Sequence, residues 1–427
     1  NAPMDTVIAL VDCQNFYCAC ERLFRPDLWD RPVAVLSNND GCVIARSEAV
    51  KRIGVPMGAP YFRVKKQLAA AGVTVFSSNY ALYADLSWRV MAVLRQEAQA
   101  LEEYSIDEAF LEVPALDRGA LVDWAEDMRH RVHRTTGIPV RVGIGRTKTL
   151  AKAASRIAKQ QGTAVCCLTD HPRHDQTLST VAVGDVWGVG SSYEQTLTTH
   201  GIHTAQALRD VPVRWARRQM TVRGARMVQE LRGRRCLTLE TTPPPRKSVI
   251  RSRSFGQAIY NAKAVREAVA THASRAAEKL RAAERVAGHL QVFIQAGPSA
   301  KNLTYRNAAS TPLAPPTHHT PTLLQSARQC LGRIWRDGPA YRKAGVMLTD
   351  LHPEVPRQAH LFDDRATAEQ AALMDTVDRI NRTMGKGTAS WAAAMVSEPA
   401  TTDWTMRRAQ QSPRYTTCWD ELRTVWA

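Results

Sequence analysis

No stretch of this 427-residue sequence approaches the roughly 20 uninterrupted apolar residues that a membrane span needs. Nor does a secretory signal open it: Asn1-Ala2-Pro3 is short and uncharged, and Met4 suits a native start behind a tag remnant. Cysteine pairs at CxxC spacing are missing too. The nine cysteines (Cys13, Cys18, Cys20, Cys42, Cys166, Cys167, Cys236, Cys330 and Cys418) are an odd, scattered set. That argues against a disulfide framework and against structural zinc, and it fits a reducing, cytoplasmic setting. The glycine that a phosphate-cradling P-loop places before its lysine is also absent. In Gly143-Ile144-Gly145-Arg146-Thr147-Lys148-Thr149 that place is taken by Thr147, which excludes an ATPase of that type. Paired histidines occur once, at His318-His319, without companion ligands. No internal repeat is visible.

Acidic residues are scarce where basic ones are dense. From Arg141 to Arg285 there are 26 basic and 10 acidic residues, so an excess of +16 out of a whole-chain +17 sits in one third of the sequence. Charge concentrated in this way favours a polyanionic partner, nucleic acid first. The composition is otherwise that of a globular protein, 44% hydrophobic and 23% charged, and the length suits about three domains.

Along the chain, Thr6–Val11 is an apolar run that ends at Asp12, as in a strand buried on both faces. Helix-compatible residues follow from Asn15 to Glu21. Val33–Leu36 is a second short strand and Asn38-Asn39-Asp40-Gly41 a turn. Arg46–Ile53, Tyr83–Leu101, Leu121–His133 and Thr149–Gln160 have helical character. Tyr104–Val113 reads as two short strands meeting at Asp107-Glu108, and Val140–Ile144 as another. With Val33–Tyr80 set aside as an insertion, the order is strand–helix–strand–strand–helix–strand, the ferredoxin-like pattern. Further on, Val181–Leu231 is helical with glycine breaks, Thr241–Pro245 is a linker, and Val249–Thr349 mixes strands with helices such as Ala262–Arg285. A polar tail starts at His352–Pro356.

Three carboxylates stand out. Asp12 ends the first buried strand, and Asp107 and Glu108 have apolar neighbours in Ser105-Ile106-Asp107-Glu108-Ala109-Phe110. The ferredoxin-like order lays those two segments side by side, so the acids are expected to converge. Crowded like charges need cations, and hard oxygen donors without His or Cys side chains suit Mg²⁺. The backbone carbonyl of Cys13 is a further candidate ligand. Two such ions about 3.5–4 Å apart would serve an in-line phosphoryl displacement without a dedicated side-chain base.

Val11-Asp12-Cys13-Gln14-Asn15-Phe16-Tyr17 and Ser105–Phe110 resemble the two catalytic motifs of the Y-family DNA polymerases. Phe24-Arg25-Pro26-Asp27-Leu28-Trp29, Ser37–Arg46, Phe76-Ser77-Ser78-Asn79-Tyr80 and Ser412-Pro413-Arg414-Tyr415-Thr416-Thr417 narrow the resemblance to the UmuC-type branch, the catalytic subunits of bacterial DNA polymerase V. The resemblance implies a multidomain α/β and α+β fold. A ferredoxin-like palm would take 1–32 and 81–165, small inserted fingers 33–80, and a helical thumb with a helix-hairpin-helix 166–240. An α+β little finger would take 246–351 and a C-terminal tail 352–427.

It further implies error-prone, template-directed translesion synthesis in SOS-type mutagenesis. Asp12, Asp107 and Glu108 would be catalytic and, with Cys13, would hold two Mg²⁺, with Mn²⁺ able to substitute. Tyr17 would be the steric gate against a 2′-hydroxyl, with Phe16 shaping the same floor. Lys51 and Lys159 would meet the dNTP triphosphate. Ala45 and Glu48 stand where the wider family has Thr and Tyr, and Arg46 is expected to compensate. Gly188 and Gly190, in Val186-Trp187-Gly188-Val189-Gly190, have the form of a hairpin whose backbone N–H groups approach a DNA phosphate. Arg251 and Arg253 would share one strand face along the primer-template duplex. Arg275, Lys279 and Arg281 extend this basic character along a helix that also carries Glu278 and Glu284. Gln358, Leu361 and Phe362 resemble a sliding-clamp-binding peptide. Association with a processed UmuD-type dimer and activation by a RecA filament are likewise implied; no proofreading exonuclease is.

Rival readings explain less. A catalytically inactive Y-family scaffold that binds DNA and the clamp would have no use for all three acids. A nucleotidyl cyclase would need neither the hairpin nor the basic middle segment, and a plain nucleic-acid-binding module would leave the carboxylates idle.

Overall fold

The computed structural model describes residues 6–169, 174–297, 304–354, 367–394 and 406–422. The chain divides into two units, 1–243 with 410–427, and 244–409. The division falls between Pro243 and Pro244, inside the Thr-Thr-Pro-Pro-Pro stretch. The sequence read 352–427 as one tail, whereas Gln410–Ala427 belongs with the first unit.

The first unit is built on strand β1 (Thr6–Cys13), helix α1 (Phe16–Leu23), and an insertion containing β2 (Val33–Leu36), β3 (Val43–Arg46), α2 (Glu48–Arg52), α3 (Tyr61–Ala70) and β4 (Thr74–Ser77). After the insertion come α4 (Tyr80–Leu94), β5 (Ala100–Glu103), β6 (Glu108–Pro114), α5 (Arg118–Thr136), β7 (Val140–Gly145), α6 (Lys148–Gln161) and β8 (Val165–Cys167). The main sheet has the order β5-β6-β1-β7-β8, and the insertion makes its own sheet, β3-β2-β4. The helix expected at 83–101 ends early, at Leu94, and the one expected at 46–53 is shortened to Glu48–Arg52. Leu101 pairs with Leu111 in the sheet, and Arg46 pairs with Ala34, so sheet pairing wins over helical periodicity at both places.

Strand β1 is apolar on both faces for a reason. Val7, Ala9 and Val11 enter the large core with α4 and α5, while Ile8 and Leu10 pack with Phe110 and Ala151 of α6. Helix α6 lies very close to β7, because Gly143 and Gly145 face it. A Cβ on Gly143 would stand 2.2 Å from the Ser155 amide nitrogen, and one on Gly145 would stand 2.6 Å from the Leu150 Cβ. These glycines therefore serve helix–sheet packing.

Helices α7 (His174–Ser179), α8 (Ser191–Thr199), α9 (Ala205–Asp210) and α10 (Val213–Leu231) complete this unit. The second unit runs β9 (Ser248–Ile259), α11 (Ala262–Arg281), β10 (Arg285–Ala296), β11 (Arg306–Thr317), α12 (Thr320–Ile334), β12 (Tyr341–Pro353) and α13 (Thr367–Thr383). Its antiparallel sheet has the order β11-β10-β12-β9, with α11 and α12 against one face. No helix among the described residues is long and apolar enough to cross a membrane.

Candidate active site

Register decides the site. Asp12 lies directly across from Glu108 on β6 and from Arg141 on β7. Side chains on one face of a strand alternate, so all three share the face that carries Ile8 and Leu10 and looks toward α6. The Cys13 amide donates to the Asp107 carbonyl at 2.8 Å, which clasps the end of β1 to the β5–β6 turn. That turn is itself held by the Ser105 hydroxyl, which donates to Asp107 Oδ1 at 2.6 Å.

The acids meet at this corner but do not form a closed ligand set. Among the described residues no three His, Cys, Asp or Glu side chains are close enough together to hold a metal ion. The three acids do meet, and the cause of their separate side-chain placements is local. Glu108 Oε2 is drawn 2.7 Å from Lys152 Nζ, Asp107 is held by Ser105, and Asp12 faces Arg141 at 3.8 Å. The chemistry of the corner still suits a hard divalent cation. Burial, then Glu108 and Asp107, push the Asp12 carboxyl up to about 6 against the pull of Arg141 and Lys159. An acid disfavoured in its charged form by neighbouring acids is what a cation relieves. The Cys13 thiol is raised by burial and the same three acids, which leaves it protonated and a poor ligand.

A cavity of about 230 Å³ opens beside this corner, and it joins Asp12, Cys13 and Asp107 to Phe16, Tyr17, Arg46, Lys51, Arg141 and Lys159. Acidic and basic side chains line the same space. Burial and nearby Lys51 pull the Lys159 ammonium below its ordinary value, with Asp12 opposing them. Lys51 Nζ is held by Asn15 Oδ1 and Glu48 Oε1, both at 2.6 Å. Glu48 thus fixes the lysine, and Arg46 is tied to the Val55 carbonyl. Crowded cations beside a cavity form a receptacle for a polyanion.

Helix α1 enters the cavity floor through Asn15, which sits in the left-handed region at φ 49° and so turns the chain sharply after β1. Phe16 is buried beneath. The Tyr17 ring stacks on Tyr83 at 4.5 Å and 19°, and Tyr80 meets it edge-on at 6.0 Å. Burial, with Tyr80 and Asp107, pushes the Tyr17 phenol up to about 12.

Sequence reasoning missed Arg141 and Lys152. Neither has a motif around it; cross-strand register and the tight seating of α6 bring them in. Lys152 also lies over the Tyr104 ring at 4.6 Å, and Trp187 Nε1 donates to the Tyr104 hydroxyl at 3.0 Å. One aromatic cluster therefore links Glu108's lysine to the Val186–Gly190 turn. In that turn Gly188 has φ 92°, where a side chain is strained, and Gly190 caps α8 with open space around its Cβ position. Lys148, in the rejected P-loop run, is buried and paired with Glu102.

In the second unit, Arg251 lies opposite Val346 and Arg253 opposite Ala344. Both arginines share the face on which Val249 and Phe255 are buried, the side toward α11, and Ser252 and Ser254 take the other. Gln358, Leu361 and Phe362 lie outside the described residues.

Comparison with known proteins gives a consistent result. Residues 11–156 match the impB/mucB/samB family and 246–361 its C-terminal domain. Residues 371–425 match a domain of unknown function. Protein UmuC of Salmonella typhimurium is 42% identical over 425 residues, covering 98% of this chain and 100% of that protein. Protein MucB of Escherichia coli is 40% identical over 421 residues, 97% of this chain and 99% of the other. Among solved structures, a Y-family DNA polymerase chimera built on Dbh aligns with TM-score 0.63 at 18% identity, covering 81% of this chain and 99% of its own. An insertion ternary complex of Dbh DNA polymerase aligns with TM-score 0.52 at 17% identity, with the same coverage.

Proposed function

The chain belongs to the impB/mucB/samB family of Y-family DNA polymerases, and from that premise we propose that it adds deoxynucleotides to a primer opposite damaged template at the Asp12–Asp107–Glu108 corner. The observation that carries the reading is the cavity itself, which Asp12 and Asp107 line together with Arg46, Lys51, Arg141 and Lys159. A primer end and a triphosphate need acids and cations side by side.

Asp12, Asp107, Glu108 and the Cys13 carbonyl are the groups that would hold two Mg²⁺. When bound, the ions lower the pKa of the attacking hydroxyl and neutralise charge on the departing pyrophosphate. The rest is the work of this chain's side chains. Lys51, Lys159 and Arg141 face the triphosphate, with Arg46 behind them. The Lys51 contacts to Asn15 and Glu48 hold that cation in place before substrate arrives. Lys152 pairs with Glu108 Oε2 and holds that carboxylate at the corner. The stacked Tyr17 ring closes the cavity where the sugar would lie, so a 2′-hydroxyl meets carbon, with Phe16 fixing the floor beneath.

Around this centre the reading assigns Gly188 and Gly190 to DNA phosphate and Arg251 and Arg253 to the duplex backbone. Gln358, Leu361 and Phe362 are assigned to a sliding clamp. A processed UmuD-type dimer and a RecA filament are the proposed activating partners, and SOS-type mutagenesis the setting. Replacing both Leu361 and Phe362 by Ala should abolish clamp stimulation and leave basal synthesis intact.

Primer extension across an abasic site with Mg²⁺ tests the core of the proposal, comparing wild type with the Asp107→Ala/Glu108→Ala variant, with and without the three accessory proteins. Template-dependent incorporation that disappears in the variant supports it. No incorporation by fully supplemented wild type would move the conclusion to an inactive scaffold that binds DNA and clamp.

A further inference from the structure

The end of the chain returns to its first helix. The Gln410 amide donates to Ser77 Oγ at 3.0 Å, and the Gln410 carbonyl accepts the Ser77 amide at 2.9 Å. Asn79 Nδ2 reaches the Ser412 carbonyl at 3.1 Å, Ser412 Oγ at 3.0 Å and the Pro413 carbonyl at 3.1 Å. Tyr415 then stacks on Phe24 at 4.6 Å and 17°. Residues 410–415 thus strap the seam between the inserted sheet, through Ser77, and the main sheet's helices, through Asn79 and Phe24. Glu21 and Asn79 are fully buried and Ser412 is 7% exposed, so the strap is part of the core.

The strap reaches the nucleotide pocket in two steps. Ser412 Oγ–H donates to Glu21 Oε1 at 3.1 Å, and the Tyr83 hydroxyl donates to the same oxygen at 2.6 Å. The Tyr83 ring is the one that lies flat against Tyr17. Glu21 follows Tyr17 by four positions on α1, so it shares that helix face. A ring rejects a hydroxyl only if it cannot tilt away, and this ring is backed by a second one whose far end is pinned by a buried hydrogen bond.

We propose that Gln410–Tyr415 is a sugar-specificity element, which holds Tyr17 rigid through the positioning residues Ser412, Glu21 and Tyr83. It gives a role to the last part of the 371–425 region, which matches only a domain of unknown function. The inference rests on the reading of Tyr17 as the gate. Removing the Ser412 hydroxyl deprives a buried carboxyl of one of its two donors, and the Tyr83 contact shares the loss. The ring stack then loosens while the acids and cations of the pocket stay where they are.

Primer extension by the full chain with matched deoxy- and ribonucleotides decides it, with kcat and KM measured separately for each sugar. Tyr17→Ala should lower sugar discrimination by roughly 10²-fold. Ser412→Ala and Tyr83→Phe should each lower it by about 5-fold, the effect of about one hydrogen bond, mainly by lowering KM for the ribonucleotide. Ser412→Thr, which keeps the hydroxyl, should restore it. If Tyr17→Ala relaxes discrimination while Ser412→Ala and Tyr83→Phe keep the wild-type ratio, the strap has no part in specificity and the gate reading stands. Equal losses for both sugars in the two variants would mean a purely structural strap and overturn the inference. If Tyr17→Ala leaves the ratio unchanged, the gate reading fails and the strap proposal with it.

Discussion

The two larger sheets in this chain share the run strand–helix–strand–strand–helix–strand, to which the first adds a parallel β8, yet they place the first strand differently. In the first unit β1 is inside the sheet, between β6 and β7; in the second, β9 is at the edge, paired with β12 alone. An interior strand has neighbours on both sides at every residue. Asp12 therefore meets Glu108 on one side and Arg141 on the other, and a charged cluster forms where the strand ends. An edge strand offers one neighbour and one open side. Arg251 and Arg253 have cross-strand partners on one side only, Val346 and Ala344. Strand order, more than element order, decides which side chains meet.

The largest effect that would test this contrast is on rate. Asp12→Asn removes the charge at the interior position and keeps the shape. It should lower kcat by at least about 10³-fold, the several kcal/mol carried by a charge-stabilising group, with duplex affinity within about twofold of wild type. Single-turnover incorporation and a DNA-binding titration on the same preparation measure both quantities. A rate within tenfold of wild type would remove the interior strand from the chemistry.

What could be read from the sequence follows the same division. Asp12, Asp107 and Glu108 were legible because each ends or begins an apolar run, and the ferredoxin-like order was legible from the alternation of such runs. Arg141 and Lys152 were not, since they enter through register and through the Gly143–Gly145 seat of α6, and pairing register has no local signature. Motifs carry no information on side-chain rotation, so the pairing of Glu108 with Lys152 was not legible either. The Ser412–Glu21 contact joins residues 391 positions apart. Only the folded chain reveals it, although Ser412 falls within a run that the family resemblance picked out.

A second test concerns stability in the interior unit. Burial pushes the Glu21 carboxyl up to about 7 from an ordinary 4.5, with Tyr83, Ser412 and Arg25 pulling the other way, and its Oε2 has no hydrogen-bond partner. The folded state therefore binds this proton more tightly than the unfolded state. Its contribution to stability is fully present below about pH 4.5 and is lost as pH rises through about 7, by up to about 3 kcal/mol. Glu21→Gln keeps an acceptor and cannot ionise, so urea unfolding at pH 5 and pH 8 should show a smaller loss in the variant by that order. Equal pH dependence in the two proteins would mean that Glu21 is ionised and satisfied when folded.

The smallest effect belongs to the edge strand, and it sharpens the comparison most. Arg251 and Arg253 lie two residues apart on one face, and burial together with Arg275 and Arg408 lowers the Arg253 guanidinium from its ordinary value. Cations that depress one another in the free protein gain from a neighbouring polyanion. Arg251→Ala with Arg253→Ala should weaken primer-template binding roughly tenfold and reduce the slope of log affinity against log salt by up to about 2, as expected for two lost phosphate contacts. Asp12, Asp107 and Glu108 are intact in this variant, so kcat at saturating DNA should stay at the wild-type value. Affinity titrations at several salt concentrations separate the outcomes. A smaller slope with unchanged kcat assigns the edge strand to DNA backbone. An unchanged slope means that the two arginines only solvate the unit, and that the basic middle of the chain meets DNA elsewhere, with the helices that follow Gly190 the next place to look.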